Sequence, residues 1–156
     1  MNTEKLRFGD VAYAIKTTPK SLRNWLQRGQ VSLTSSAPND GGWREFDPAD
    51  IPHLALVRTL VTFGIEVRQS DKLVRGILDG LPQPVFNVDA QSDWHVVDYE
   101  VAVWPIDEGD DWQCWPFNGS IESEAAISQS PATLILRVGR IIAAAMQRAL
   151  SRLDSS

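Results

Sequence analysis

Between residues 80 and 84 the chain reads Gly-Leu-Pro-Gln-Pro, and this short break separates two kinds of sequence. Two prolines and a glycine in five residues stop helix and sheet alike. Before the break, apolar residues recur at helical spacing; after it they gather in short runs rich in Val, Trp, Phe and Tyr. A chain of 156 residues holds one ordinary domain or two very small ones. The expected fold class is α+β: a mostly helical half over 6–79, then a small β-rich acidic module with a C-terminal helix over 85–153.

Charge follows the same division. Residues 1–76 carry 11 Lys and Arg against 8 Asp and Glu, residues 77–136 carry no cation and 11 acids, and residues 137–156 carry four Arg and one Asp. The net charge of −5 therefore averages over blocks of opposite sign. A nucleic-acid partner, which needs clustered cations, is compatible with the first block and not with the second.

Composition and motif content exclude several classes. A hydrophobic fraction of 43% with 22% charged residues is globular composition. No apolar run approaches the length of a membrane span, and the polar start Met1-Asn2-Thr3-Glu4-Lys5 lacks the apolar core of a secretory signal. A single cysteine, Cys114, rules out an intramolecular disulfide framework and a multi-thiolate zinc site. His53 and His95 lack a ligand cluster, and Asp107, Glu108, Asp110 and Asp111 lack calcium-loop spacing. No catalytic motif can be argued from spacing. The expectation is a cytoplasmic protein with no catalytic residues, no metal site and no cofactor.

The first half predicts short helices with clear starts. Residues 8–15 place Val11 and Ile15 one turn apart, with Asp10 favouring the positive helix start. Thr18-Pro19 is an N-cap followed by a first-turn proline, and residues 19–28 put Leu22, Trp25 and Leu26 on one face. Gly29 is a natural stop. Val31-Ser32-Leu33 and Trp43-Arg44-Glu45-Phe46 flank a run of turn residues and predict a β-hairpin, or wing. Asp47-Pro48 opens a helix whose stripes (Ile51, Leu54, Val57, Val61; Leu56, Leu60, Phe63) predict cover on two sides. Residues 67–79 predict one more helix.

Beyond the break, strands are predicted over 85–88, 94–104 and 112–117, with a polar turn at 107–111 and prolines 105 and 116 at strand ends or edges. The tryptophans Trp94, Trp104, Trp112 and Trp115 predict core for a small β module, with an aromatic ligand pocket as the sharper alternative. Residues 132–138 predict a strand and 140–153 a helix, preferred to a single helix over 131–153. The stripe Ile141, Ile142, Ala145, Met146, Ala149 on that helix predicts intramolecular core, with a homodimer seam as the alternative.

Helix, turn, helix, wing, helix is a winged helix-turn-helix order. Ser21-Leu22-Arg23-Asn24-Trp25-Leu26-Gln27-Arg28-Gly29 resembles the second helix of MerR-type regulators, and Phe8-Gly9-Asp10-Val11-Ala12 is similar to their first. Gly42-Trp43-Arg44-Glu45-Phe46 is similar to the family's wing strand, and Asp47-Pro48-Ala49-Asp50-Ile51 to its next helix start. Asn24 stands where the family has an aromatic residue, and Leu26 where it has an acid. The break at 80–84 interrupts the family's coiled-coil helix, and paired metal-sensing cysteines are absent from the sequence, so neither its dimerisation mode nor metal response is implied.

The resemblance implies double-stranded DNA as partner. In a helix-turn-helix the second helix enters the major groove, leaving Lys20, Ser21, Arg23, Asn24 and Arg28 to reach DNA. Arg23 and Asn24 are candidates for guanine and adenine edges. The family resemblance assigns Arg23 and Arg44 to phosphates instead. Lys16, Thr17 and Thr18 at the turn are further phosphate candidates, and Trp43 is expected to pack under the wing, with contact to a DNA sugar as the alternative. The function expected is a sequence-specific DNA-binding transcription regulator of bacterial or phage type. A phage architectural, excisionase-like or packaging protein, or an acidic adaptor that binds protein alone, are the alternatives. The second module is expected to supply a homodimer contact, another protein contact or ligand sensing.

Overall fold

The computed structural model describes residues 5–33, 45–81, 99–106, 110–117 and 130–154. Four helices come first: α1 (Phe8–Ala14), α2 (Pro19–Gln27), α3 (Asp50–Thr62) and α4 (Val67–Asp79). Strands β1 (Glu100–Ile106), β2 (Asp111–Pro116) and β3 (Leu134–Arg137) follow, and α5 (Val138–Leu153) closes the described chain. The α+β expectation holds, as does the choice of strand then helix at 134–153.

Local chemistry explains the helix starts. Thr18 caps α2 by accepting the Ser21 N–H at 3.0 Å, with Pro19 in the first turn where no N–H is needed. Ahead of α3, the Asp47 carboxylate accepts the Ala49 N–H at 2.9 Å and the Asp50 carboxylate accepts the Asp47 N–H at 3.1 Å. At α1 the Asp10 carboxylate likewise takes the Arg7 N–H at 3.1 Å.

The predicted wing differs. Residues 31–33 form no strand, because Val31 is buried and the Ser32 backbone turns to α4. Phe46 pairs instead with Leu6 as an isolated antiparallel bridge, each N–H donating to the other's carbonyl at 2.9 Å. The hairpin tip, including Trp43 and Arg44, lies outside the described residues, as do the strand expected at 85–88 and Trp94.

The sheet is antiparallel with β1 central, in the order β2-β1-β3. Its register sorts the side chains by face. Val103 lies opposite Cys114 and Leu134, and Val101 opposite Leu136; these face the main core together with Trp112. Ala102, Trp104 and Trp115 take the other face, where Trp104 is buried and Trp115 is 52% exposed. The tryptophans therefore do not all fill one core, since alternation sends Trp112 and Trp115 to opposite sides. Pro105 lies inside β1, not at its end, but past Val103, where the β3 pairing stops; its missing N–H costs no ladder bond on that side.

One hydrophobic cluster runs through both halves of the chain. Helix α3 lies at its centre, against α1, α4 and α5, and α4 also packs on β2. Ile51, Leu54, Leu56, Val57 and Leu60 are buried, so α3 is covered on two sides as expected. Phe63, the residue that caps the end of α3, is the exception at 61% exposure. On α5, Ile142, Ala145, Met146 and Ala149 are buried within this chain, so the stripe serves the intramolecular core.

Candidate nucleic-acid interface

Helix α2 is sharply two-sided. Leu22 and Trp25 are buried and Leu26 packs against the core, while Lys20, Arg23, Gln27 and Arg28 are exposed. Asn24 and Ser21 are half-buried. The buried side anchors the helix on α1, and the exposed side carries three cations and no acid.

Arg23 is positioned by more than its own helix. Its guanidinium lies 5.4 Å from the centre of the Phe8 ring on α1. Phe8 in turn meets Phe46 edge-on, with centroids 5.0 Å apart and planes at 89°. Phe46 is fully buried and bridged to Leu6. The stack Arg23–Phe8–Phe46 thus joins α2, α1 and the chain two residues beyond Arg44. A cation held over a ring gains about 0.5–1 kcal/mol at an exposed site and keeps its donor edges for another partner.

Among the described residues, the turn between α1 and α2 has the most unusual backbone. Lys16 has φ 55°, in the left-handed region. Its N–H donates to the Tyr13 carbonyl at 3.2 Å, and the Thr17 N–H donates to the Ala12 carbonyl at 2.9 Å. That pair of bonds is a Schellman ending. Helices α2 and α3 end the same way, through Gly29 at φ 61° and Gly64 at φ 89°. Three equivalent endings thus carry two glycines and one lysine. A side chain in this conformation costs roughly 1–2 kcal/mol, and such strain tends to persist where a side chain is needed for function.

Two arginines from distant segments hold this turn. Arg58 on α3 donates through Nε to the Lys16 carbonyl at 3.0 Å, and Arg148 on α5 donates through Nε to the Ala14 carbonyl at 2.6 Å. Both meet the negative end of α1, where a cation contributes about 0.3–1 kcal/mol. Next to them, Arg152 lies 4.2 Å from the Tyr13 ring centre. Sequence reasoning missed these residues. A signal was present: Arg140, Arg148 and Arg152 recur at multiples of four along α5, a single helical stripe.

Thr18 and Ser21 are engaged in the cap, their hydroxyl oxygens 2.9 Å apart, so their first role is to start α2. Behind the other end of α2, Asp71 is buried among three partners. Its Oδ1 meets His53 Nε2 at 2.7 Å and the Ser32 N–H at 3.4 Å; its Oδ2 accepts from Arg75 at 2.8 and 3.2 Å. This cluster pins the segment leaving α2 to α3 and α4. It also gives His53 a structural partner.

Residues 6–77 match the family model of the MerR HTH family regulatory proteins. No curated protein matches the chain. Among the described residues, no helix is long and apolar enough to cross a membrane.

Proposed function

Because residues 6–77 match the family model of the MerR HTH regulatory proteins, we propose that the protein is a sequence-specific double-stranded DNA-binding transcription regulator of bacterial or phage type, acting by binding and not by catalysis. The observation that carries this reading is the two-sidedness of α2: Leu22 and Trp25 lock one side to the domain, and the opposite side presents Lys20, Arg23 and Arg28 with no acid among them. Inserted in the major groove, such a helix offers Arg23 and Asn24 to base edges and Lys20 and Arg28 to the backbone. Lys16 adds a phosphate contact at the turn, and Arg44 adds one from the wing. The acidic block at 77–136 repels the duplex and restricts contact to the basic side.

The test is fluorescence anisotropy of the full chain on labelled duplexes at increasing salt. With about four phosphate contacts, affinity falls on the order of 10²-fold between 50 and 200 mM salt. Arg44→Ala flattens the salt dependence by about one contact, and Arg23→Ala weakens binding and relaxes sequence preference at one base position, with the melting temperature lowered by no more than a few degrees. Absence of duplex binding by the unmodified protein at low salt refutes the proposal.

A further inference from the structure

Behind the α1–α2 turn, α1, α3 and α5 leave an open groove of 510 Å³. Its apolar lining includes Ile15, Ile141 and Ala144, and the exposed Phe63 ring stands beside them. Its charged lining is Lys16, Arg58, Arg140 and Arg148; among the described residues that line it there is no Asp or Glu. The volume lies within the range typical of small-molecule sites, which combine an apolar body with a few placed polar groups. Lys16, Arg58 and Arg148 on low-dielectric walls concentrate anions. A bare phosphate satisfies the cations and leaves Phe63 and Ala144 uncovered, whereas an anion with an apolar body covers both.

We propose that this groove binds a small amphiphilic anion, a carboxylate on a medium-length acyl or aromatic body, and that its binding lowers the affinity for DNA. The binding half stands on the groove alone; the DNA half rests on the function proposed above. The link between them is local. Arg58 and Arg148 line the groove and also donate to the Lys16 and Ala14 carbonyls. A bound carboxylate competes for those guanidinium donors and pulls them from the turn, which then gives up the strained backbone of Lys16. A ligand shifts an equilibrium only by its differential affinity for the two states. Here the difference is the pair of arginine–carbonyl bonds, present without the anion and lost with it.

The experiment uses the full chain, 8-anilinonaphthalene-1-sulfonate as fluorescent probe, and decanoate below its micellar concentration as competitor. The expected result is bound probe that decanoate displaces and decyltrimethylammonium does not. Ala144→Trp, which fills the groove from a half-buried position, weakens decanoate at least tenfold with its melting temperature kept. Saturating decanoate then lowers duplex affinity at least fivefold, and in Ala144→Trp it does not. Displacement by both amphiphiles alike, or decanoate binding that ignores Ala144→Trp, overturns the site. Probe displaced by duplex and not by decanoate makes the groove a backbone-contact surface and also overturns it. Decanoate binding with duplex affinity unchanged overturns the coupling alone. Decanoate binding by a protein that binds no duplex refutes the regulator reading and leaves the groove assignment standing.

Discussion

Replacing Lys16 by glycine separates stability from function at one residue. Lys16 occupies the left-handed position of a Schellman ending that α2 and α3 give to Gly29 and Gly64. Relief of the side-chain strain contributes about 1–2 kcal/mol. The added freedom of glycine in the unfolded chain takes back about 0.4–1 kcal/mol. The difference, about 0.5–1 kcal/mol in favour of the variant, raises the melting temperature of a chain this size by roughly 1–4 °C. The Arg58 bond to the Lys16 carbonyl is to the backbone and survives the change. If the lysine is kept for a phosphate, the same variant loses one contact, and the slope of log affinity against log salt falls by about 0.9. Calorimetry reads the first quantity and anisotropy at four salt concentrations reads the second. A variant that melts lower than the parent, or that melts higher with an unchanged salt slope, refutes the reasoning.

Three other substitutions test the scaffold. Ile142→Ala removes a buried side chain from α5 and costs about 2–5 kcal/mol, roughly 7–14 °C of melting temperature at the middle of that range. Because α5 packs on α1 and α3, hydrogen exchange speeds up in those helices too; loss of protection confined to α5 and the sheet contradicts a shared core. Asp71→Ala leaves His53 and the Ser32 N–H without their carboxylate and costs about 2–3 kcal/mol, seen as a lower urea midpoint with unchanged slope; a change below about 0.5 kcal/mol counts against the lock. Burial pushes the Cys114 thiol above its ordinary range of about 8.5, so alkylation at neutral pH is slower than in the urea-unfolded chain. The raised value favours the protonated, folded form: its contribution is complete below the unfolded thiol's pKa and is lost as pH rises through the folded one. Cys114→Ala therefore flattens the alkaline arm of the stability curve, and an unchanged arm argues against it.

What sequence reveals here is what neighbouring residues decide. Thr18-Pro19 starts α2 because a cap and a first-turn proline act within four residues, and the Leu22–Trp25 spacing fixes which side is buried. The bounds of α4 at Val67–Asp79 follow equally from local periodicity. The base of the wing is hidden from sequence for the opposite reason: Phe46 bonds to Leu6, forty positions earlier, and nothing near either residue encodes that partner. Arg148 reaching the Ala14 carbonyl is more distant still, and the burial of Asp71 depends on three segments meeting. The basic outer side of α2 could be read directly, but the arginines that hold its turn required the docking of α5.

That docking also settles which force shapes the basic surface. Helix α5 brings Arg140, Arg148 and Arg152 onto the half of the chain that is already cationic, while the acidic hairpin leans on α4, where Gln69 donates to the Asp110 carbonyl at 2.8 Å and Lys72 lies 3.9 Å from Asp111. Two like charges about 10 Å apart repel by roughly 0.4 kcal/mol in water, and less in salt. Burying one isoleucine returns roughly 1.5–3 kcal/mol, and α5 buries Ile142 and Met146 alongside its alanines. Apolar packing therefore prevails over the crowding of arginines by a wide margin. The fold tolerates their repulsion, and two of them make specific contacts at the α1–α2 turn: Arg148 donates to the Ala14 carbonyl and Arg152 lies over the Tyr13 ring.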